Sequence, residues 1–306
     1  MPASEWALTA FTLLAQASVG LWLVSGFWPE SRPGEGGAAV GGSGIDRLRL
    51  IFRRAALAAM LAGTGISLLH LGRPMEAARA LHNLAGSWLS REILFALIFV
   101  LGMVFHLAGT TGGIRRAGWK ASYSATAAAG SILILIMARL YMLPSVPVWN
   151  HVATPLSFLG AMGLMGILGG AALAESFGGF RSGSGDSSVP GRDARNQARI
   201  SVAARGLILL QVLLSGETVL RARMGGGPFP EGNVDNPTGI LFGLGLRAVF
   251  GITAFFLLSQ VSARLRRGDR RGPGTGFEWR LIFTFALGGE ICGRALFYAL
   301  FSRLGV

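Results

Sequence analysis

A histidine and a glutamate flank the connection between the second and third apolar segments of the chain. His70 ends the second segment and Glu92 lies in the first turns of the third. Imidazole and carboxylate groups are the side chains most often used to exchange protons near neutral pH. Quinol oxidation needs such groups at a membrane rim, because it releases two protons with two electrons. The structural alternative for His70 is a rim histidine hydrogen-bonded to a carbonyl group or to water.

The connection itself carries strong signals for the end of one helix and the start of another. Gly72 adopts the left-handed C-terminal conformation readily and Pro74 cannot continue a helix, so both predict a stop. Ser87 or Ser90 can accept from the free N–H groups of the next helix, and Glu92 interacts favourably with the dipole of its first turn. We therefore expect the two proton-exchanging side chains to face one cleft at the same membrane rim.

The composition is that of a membrane protein with many spans. Hydrophobic residues make up 51% of the 306 residues and charged residues only 14%, with a mean hydropathy of +0.52. The net charge of +13 falls in loops between apolar segments, so a nucleic-acid partner is not needed to explain it. The single cysteine, Cys292, excludes a four-cysteine iron–sulfur cluster held by this chain alone.

Eight apolar segments of about 20 residues predict an all-α, polytopic membrane protein. Small residues are frequent inside the segments, where they let helix backbones approach closely. We expect one membrane domain over residues 1–306, in two four-helix halves, with flexible loops at 29–48 and 176–199. The predicted transmembrane helices are 5–28, 49–70, 88–109, 119–143, 152–175, 200–221, 238–263 and 278–302.

The distribution of Lys and Arg predicts the orientation of these helices. With the N-terminus outside, the inner side holds 18 of these residues and the outer side seven. Because positive residues concentrate on the cytoplasmic side, we expect both termini in the periplasm of a bacterial inner membrane. The connection that follows His70 would then face the periplasm. The seven outer residues are Arg73, Arg79, Arg91, Arg139, Arg221, Arg223 and Arg303.

Ionisable residues within the spans concentrate in the outer half of the predicted bundle. Such residues are costly in a bilayer and mark function by default, which favours a polar pocket there. The structural alternatives are an i,i+4 pair between Glu290 and Arg294, and an Arg139 side chain that extends to the lipid head groups. The outer residues are Glu92, Arg139, Glu217, Arg247, Glu290 and Arg294, whereas Arg205 belongs to the inner half.

The four histidines are poorly spaced for a b-type haem, which needs two of them on facing helices at matching depth. His106 lies at the inner rim, about 27 Å along the third helix from Trp88 by helical rise. His82 lies in a loop. A pair of His70 and His151 is the one conceivable arrangement, and neither residue is set inside a helix. We therefore expect no haem in this chain.

Four sequence blocks make the chain similar to the membrane-anchor subunit (DmsC type) of dimethyl sulfoxide reductase and related molybdopterin enzymes. The blocks follow the family's order and cover nearly the whole chain, and the His-Leu-Gly-x-Pro block with its downstream Ser-x-Glu is fairly specific. They are Glu5-Trp6 through Phe11-Thr12 to Gln16; His70 to Pro74 with Leu89 to Ile93; Arg139-Leu140-Tyr141 through Val146 to Trp149 and Thr154-Pro155; and Gly289 to Arg294 through Phe297-Tyr298.

This resemblance implies a quinone or quinol site near the outer surface, taking menaquinone or ubiquinone, with neither haem nor metal in this chain. Electrons would pass to an iron–sulfur subunit and on to a molybdopterin catalytic subunit; related anchors serve enzymes that run in the opposite direction. His70 and Glu92 fall on the family's quinol-associated histidine and glutamate, and Arg73 and Arg139 are expected to stabilise negative charge on the ring. The other candidate binding residues are Gly72, Pro74, Ser90, Tyr141, Glu290 and Arg294.

Two other functions remain open on the sequence. A b-type cytochrome anchor would show a Soret absorption band. A transporter would place its site near the membrane midplane on interrupted helices. In this chain the charges lie toward one rim, and the third to fifth apolar segments carry no helix-breaking interruption.

Overall fold

The fold is a bundle of long helices. The computed structural model describes residues 3–28, 44–70, 81–111, 116–177, 191–224, 237–267 and 278–300. In these ranges all regular secondary structure is helical, and eight α-helices are long and apolar enough to cross a membrane, which confirms the predicted fold class. The helices are α1 (Ala3–Phe27), α2 (Gly44–His70), α3 (Trp88–Thr111), α4 (Arg116–Tyr141), α5 (Ala153–Ser176), α6 (Gly191–Met224), α7 (Pro237–Arg266) and α8 (Glu278–Ala299), with a 3₁₀ turn at Leu81–Asn83.

Two helices begin at least five residues earlier than the sequence predicted, so the two predicted loops were too long. α2 begins inside the loop expected over 29–48, and α6 begins inside the loop expected over 176–199. Five of the nine residues 191–199 are Arg or Ala, which are good helix formers. The prediction was wrong there because it weighed the Gly and Ser content of the whole linker. α6 therefore has 34 residues, more than the ~20 that a bilayer requires.

α1 and α5 pack directly against each other in the centre of the bundle. α1 contacts α2, α4, α5 and α8. α5 contacts α1, α2, α4, α6 and α8. Gly20 of α1 faces Gly166 of α5, and a Cβ atom added to either glycine would overlap backbone atoms of the other helix. The close approach expected from the small residues is thus confirmed at this crossing.

Two large apolar cores hold the helices together, and Trp28, Phe52 and Ala174 form a third, smaller cluster. The first comes mainly from α1 to α5 and includes Trp22, Phe99 and Phe158, none of which is exposed. The second comes from α5 to α8 and includes Leu168 and Ile282. Since α5 contributes to both cores, it joins α1–α4 to α6–α8.

The ends of alternate helices meet at one end of the bundle, which we call the site end. Tyr141 at the end of α4 contacts Tyr298 at the end of α8. His151, just before α5, lies 3.5 Å from the carboxylate of Glu217 near the end of α6. The end of α2 and the start of α3 belong to the same end, because consecutive helices alternate in direction.

Candidate functional site

The start of α3 is fixed by a side-chain cap. The N–H of Ser90 donates to Oγ of Ser87 at 3.3 Å, so Ser87 is the cap and one of the two predicted alternatives is confirmed. Arg91 turns back toward the connection, where it donates to two backbone carbonyl groups and lies 4.2 Å over the ring of Trp88. The neighbouring residue, Glu92, therefore projects on another side of the helix, toward the bundle interior.

The Glu92 carboxylate is buried beside two tyrosines, and we call these three residues the Glu92 cluster. Glu92 is 6% exposed, and in the described ranges its carboxylate has no hydrogen-bond or ion-pair partner. The hydroxyl groups of Tyr141 and Tyr298 lie 2.9 Å apart, and both tyrosines are within electrostatic range of Glu92. Burial of a carboxyl group without a partner is costly in a membrane. Because no described residue forms an ion pair with Glu92, its position favours a functional role over a structural one.

A polar stripe on α1 faces the same region. Thr9, Thr12 and Gln16 are buried and lie at i, i+3 and i+7, which places them on one face of the helix. Oε1 of Gln16 accepts from Arg294 at 3.1 Å. Nε2 of Gln16 is buried and finds no acceptor among the described residues. The Nε2 amide group of Gln16 is therefore a buried donor that no described acceptor uses.

Arg294 lies between α8 and the N-terminal helices. It is 5% exposed, and its guanidinium carbon lies 4.0 Å from the ring centroid of Phe158 and 5.7 Å from that of Phe297. The i,i+4 pair with Glu290 considered from the sequence does not form. The side chain instead reaches α1 and bonds Gln16, because tertiary packing offers it a partner that lies off its own helix.

Glu290 pairs with Arg247 of α7 instead. Nη2 of Arg247 lies 3.3 Å from Oε1 of Glu290 and 3.1 Å from Oε1 of Gln211. Gln211 in turn donates to the carbonyl group of Ser157 at 2.7 Å. Arg247 crosses α8 at Gly293, where any Cβ atom would overlap its guanidinium group. This network joins α5, α6, α7 and α8 within the apolar bundle.

A cleft lies beside this network, and we call it the Arg247 cleft. Its empty volume is ≈ 440 Å³, including the part open to the exterior. Its walls combine guanidinium, carboxylate and hydroxyl groups with aliphatic side chains. The lining residues are Ser157, Gln211, Leu214, Ser215, Thr218, Val219, Arg247, Glu290, Gly293, Arg294, Leu296, Phe297 and Leu300.

The other charged candidates lie at the rims. Arg139 is exposed, donates to the carbonyl group of Met142 at 2.7 Å and lies 5.1 Å over the ring of Trp88. Nδ1 of His151 lies 3.5 Å from Oε1 of Glu217, so this contact links the segment just before α5 to α6. His106 lies about 21 Å farther along α3 than Glu92 by helical rise. Its Nδ1 lies 2.7 Å from Oγ of Ser122.

The structure describes only part of the predicted site. His70 ends α2, as predicted, but its side chain lies outside the described residues, as do Gly72, Arg73 and Pro74. Ser90 is buried in the first turn of α3. Of the remaining candidates, Glu92 and Tyr141 belong to the Glu92 cluster, Arg294 lies between that cluster and the Arg247 cleft, and Glu290 lines the cleft.

Sequence reasoning missed three polar residues of this region as site residues. Gln16 and Tyr298 occur in the blocks that carry the family resemblance, but their types alone gave no reason to assign them a role. Gln211 is an amide within the apolar run from 207 to 214, and this interruption was the available signal. A search restricted to ionisable residues passes over all three of them.

Comparisons with known proteins agree with the motifs in the N-terminal half. The family model described as "DMSO reductase anchor subunit (DmsC)" matches residues 1–178. The sequence is 30% identical over 176 residues to the YnfH subunit of the anaerobic dimethyl sulfoxide reductase of Escherichia coli. It is 29% identical over 171 residues to the C subunit of the anaerobic dimethyl sulfoxide reductase of Haemophilus influenzae.

Each of these two matches covers 56% of this chain, and they cover 58% and 57% of the two relatives. The chain therefore matches less than two thirds of their length. No solved structure matches the chain. Because the family model extends over more than half of the sequence, the chain belongs to the DMSO reductase anchor subunit (DmsC) family.

Proposed function

We propose that this chain is the haem-free membrane anchor of a molybdopterin and iron–sulfur oxidoreductase complex, and that it exchanges electrons and protons with the quinone pool. The membership of the DmsC family supports the anchoring role. The observation that carries the quinone-linked role is the Glu92 carboxylate, which is buried at the site end without a partner in the described ranges.

The residues around Glu92 fit a quinone ring. A quinone has two carbonyl oxygens that accept hydrogen bonds, and quinol oxidation supplies the two electrons and two protons of the reaction. The free Nε2 donor of Gln16 suits such an oxygen. The hydrogen-bonded hydroxyls of Tyr141 and Tyr298 provide polar contacts beside the carboxylate. These groups are held on four different helices, α1, α3, α4 and α8, so packing fixes their relative positions.

Glu92 is one of two proton-exchanging groups in this proposal. It accepts a proton at its carboxylate when quinol is oxidised and releases it toward the near membrane surface. Its place in the second turn of α3 keeps this route to the surface short. His70 ends α2 at the same rim, and we propose that its imidazole hydrogen-bonds the other oxygen of the ring and accepts the second proton. Arg73 and Arg139 would add positive charge at this rim.

The partner subunits are expected on the same face. An iron–sulfur cluster must come close to the quinone for fast electron transfer, so we propose that its subunit docks over residues 71–88 and 141–151. The excess of Lys and Arg at the opposite end makes this face the periplasmic side of a bacterial inner membrane. Both directions of electron flow, and both menaquinone and ubiquinone, fit this arrangement.

Replacing Glu92 tests the proposal. Glu92→Gln keeps the size of the side chain but removes the proton acceptor, and a general acid–base group typically contributes ~10²–10⁴ in rate. We expect Glu92→Gln and His70→Ala to lose quinol-driven turnover by about that factor in the assembled complex. Turnover driven by an artificial dye donor, which bypasses this chain, is expected to persist.

Glu278→Gln is the matched control, because this carboxylate lies at the opposite end of the bundle and is paired with Arg264 near the surface. Its quinol-driven rate is expected to stay near that of the unmodified complex. Full quinol-driven rate in Glu92→Gln would refute the assigned role. Equal loss of dye-driven and quinol-driven rates would show that the residue acts in assembly instead.

A further inference from the structure

The Arg247 cleft carries more positive than negative charge, although it lies deep in the bundle. Arg247 and Arg294 line it together with a single carboxylate, that of Glu290. Nη2 of Arg247 forms an ion pair with Oε1 of Glu290 at 3.3 Å. Among the described residues, Arg294 donates a hydrogen bond only to the neutral amide of Gln16. A buried guanidinium group without an anionic partner is costly in a membrane. The cleft therefore suits a ligand that brings acceptor oxygens.

The donors available in the cleft are guanidinium N–H groups. Ser157, Ser215 and Thr218 each donate their hydroxyl to a carbonyl group of their own helix, at 2.8, 2.9 and 2.7 Å. The hydrogen bonds that Arg247 makes to described residues all use Nη2, and Nη1 packs against Gly293, which leaves Nε for another acceptor. Leu214 and Phe297 belong to the apolar part of the wall. The cleft thus offers a few directed donors within an apolar enclosure.

The depth of the cleft in the membrane distinguishes between two ligands that carry acceptor oxygens, a phospholipid and a quinone. The span of α7 begins at Gly239, so Arg247 lies about 12 Å inside the membrane by helical rise. Glu290 lies at a similar depth, nine residues before the end of α8 at Ala299. The phosphate of a phospholipid stays in the head-group layer outside the ~30 Å hydrocarbon core. A quinone ring is uncharged and soluble in hydrocarbon, so it can reach this depth.

We propose that the Arg247 cleft is a second binding site for a quinone-class ring, separate from the Glu92 cluster. One ring oxygen accepts from Arg247 and Arg294, and the ring lies against Leu214 and Phe297. The ligand class rests on the proposed function, but the site itself rests on the geometry of α5 to α8. This part of the chain lies almost entirely beyond the residues that the family model matches.

A photoreactive quinone added to the complex in nanodiscs locates the site. We expect label on peptide 211–219, which contains no residue of the Glu92 cluster, and we expect excess unlabelled quinone to displace it. Leu214→Trp fills the cleft and is expected to lower this labelling about tenfold, which corresponds to about 1.4 kcal/mol of lost affinity. The matched control is Leu213→Trp, since Leu213 is 69% exposed on the outer surface of the same helix. It is expected to label like the unmodified complex.

The outcomes separate this inference from the proposed function. Label that appears only near residues 81–95 overturns the second site and supports the Glu92 cluster. Label in the cleft, together with full quinol-driven rate in Glu92→Gln, supports the second site and overturns the role of Glu92. Three other outcomes overturn the inference. They are equal labelling of both tryptophan variants, label that excess quinone does not displace, and recovery of an acidic phospholipid from the cleft in place of quinone. The displacement of label by excess quinone is measured on the unmodified complex, so this test remains valid even if Leu214→Trp fails to fold.

Discussion

Arg247 and Glu290 are expected to be strongly coupled in stability. Their nitrogen and oxygen atoms lie 3.3 Å apart, and both side chains are about 5% exposed. At an effective dielectric constant of ~20, this separation gives an attraction of about 5 kcal/mol. Desolvation of the two groups offsets much of it, so the net worth of the pair is smaller. Loss of one partner, however, leaves the other charge buried and unpaired, which costs about 3–5 kcal/mol.

Two double-mutant cycles that share Glu290→Gln measure this coupling. The first combines it with Arg247→Gln and the second with Arg294→Gln, with the free energy of unfolding measured by denaturant titration in mixed micelles. We expect a coupling of ~1–3 kcal/mol in the first cycle. The second cycle is expected to give less, because Glu290 and Arg294 form no ion pair. The double variant Arg247→Gln with Glu290→Gln is therefore expected to be less destabilised than the sum of its two single variants.

A larger coupling between Glu290 and Arg294 than between Glu290 and Arg247 would refute this reasoning. It would mean that the i,i+4 neighbours neutralise each other on α8, as the sequence alone allowed. Additive effects in both cycles would mean that neither guanidinium group interacts with the carboxylate. Unfolding must be reversible in the chosen micelle, which recovery of the folded signal after dilution from denaturant checks. Equal denaturant slopes then show that all variants expose similar surface on unfolding.

The remaining predictions concern packing and orientation. Gly166→Ala is expected to reduce the yield of folded protein, because the added methyl group overlaps α1. Gly206→Ala is the contrasting variant, because its methyl group meets open space; thermal unfolding is expected to show a free energy of unfolding raised by about 0.5–1 kcal/mol. Gly293→Ala is expected to displace Arg247 and lower the unfolding temperature; an unchanged temperature would contradict the crossing described at this glycine. An impermeant thiol reagent is expected to label Ala80→Cys but not Ser184→Cys in intact cells, and the reverse pattern would invert the proposed topology.

The location of the polar region was predictable, but its partners were not. Counting residues along each apolar segment places Glu92, Arg247 and Glu290 in one half of the membrane, and the structure brings the last two into contact there. The choice of partner depends on how neighbouring helices are rotated and crossed, and spacing along one helix carries no information on that. Glu290 therefore pairs with a residue 43 positions away, while its i+4 neighbour bonds Gln16 of α1.

The sequence by itself determined the class of the fold, because about twenty consecutive apolar residues must satisfy their backbone groups within a helix when they cross a lipid bilayer. It also limited the cap of α3 to Ser87 or Ser90 and located the end of α2 at His70, since these features depend on residues within one turn. Only the tertiary structure decided that Gly20 and Gly166 set the central crossing, and that Gly293 lets Arg247 reach Glu290. These contacts join segments far apart in the chain, and their geometry follows from the packing of all eight helices together.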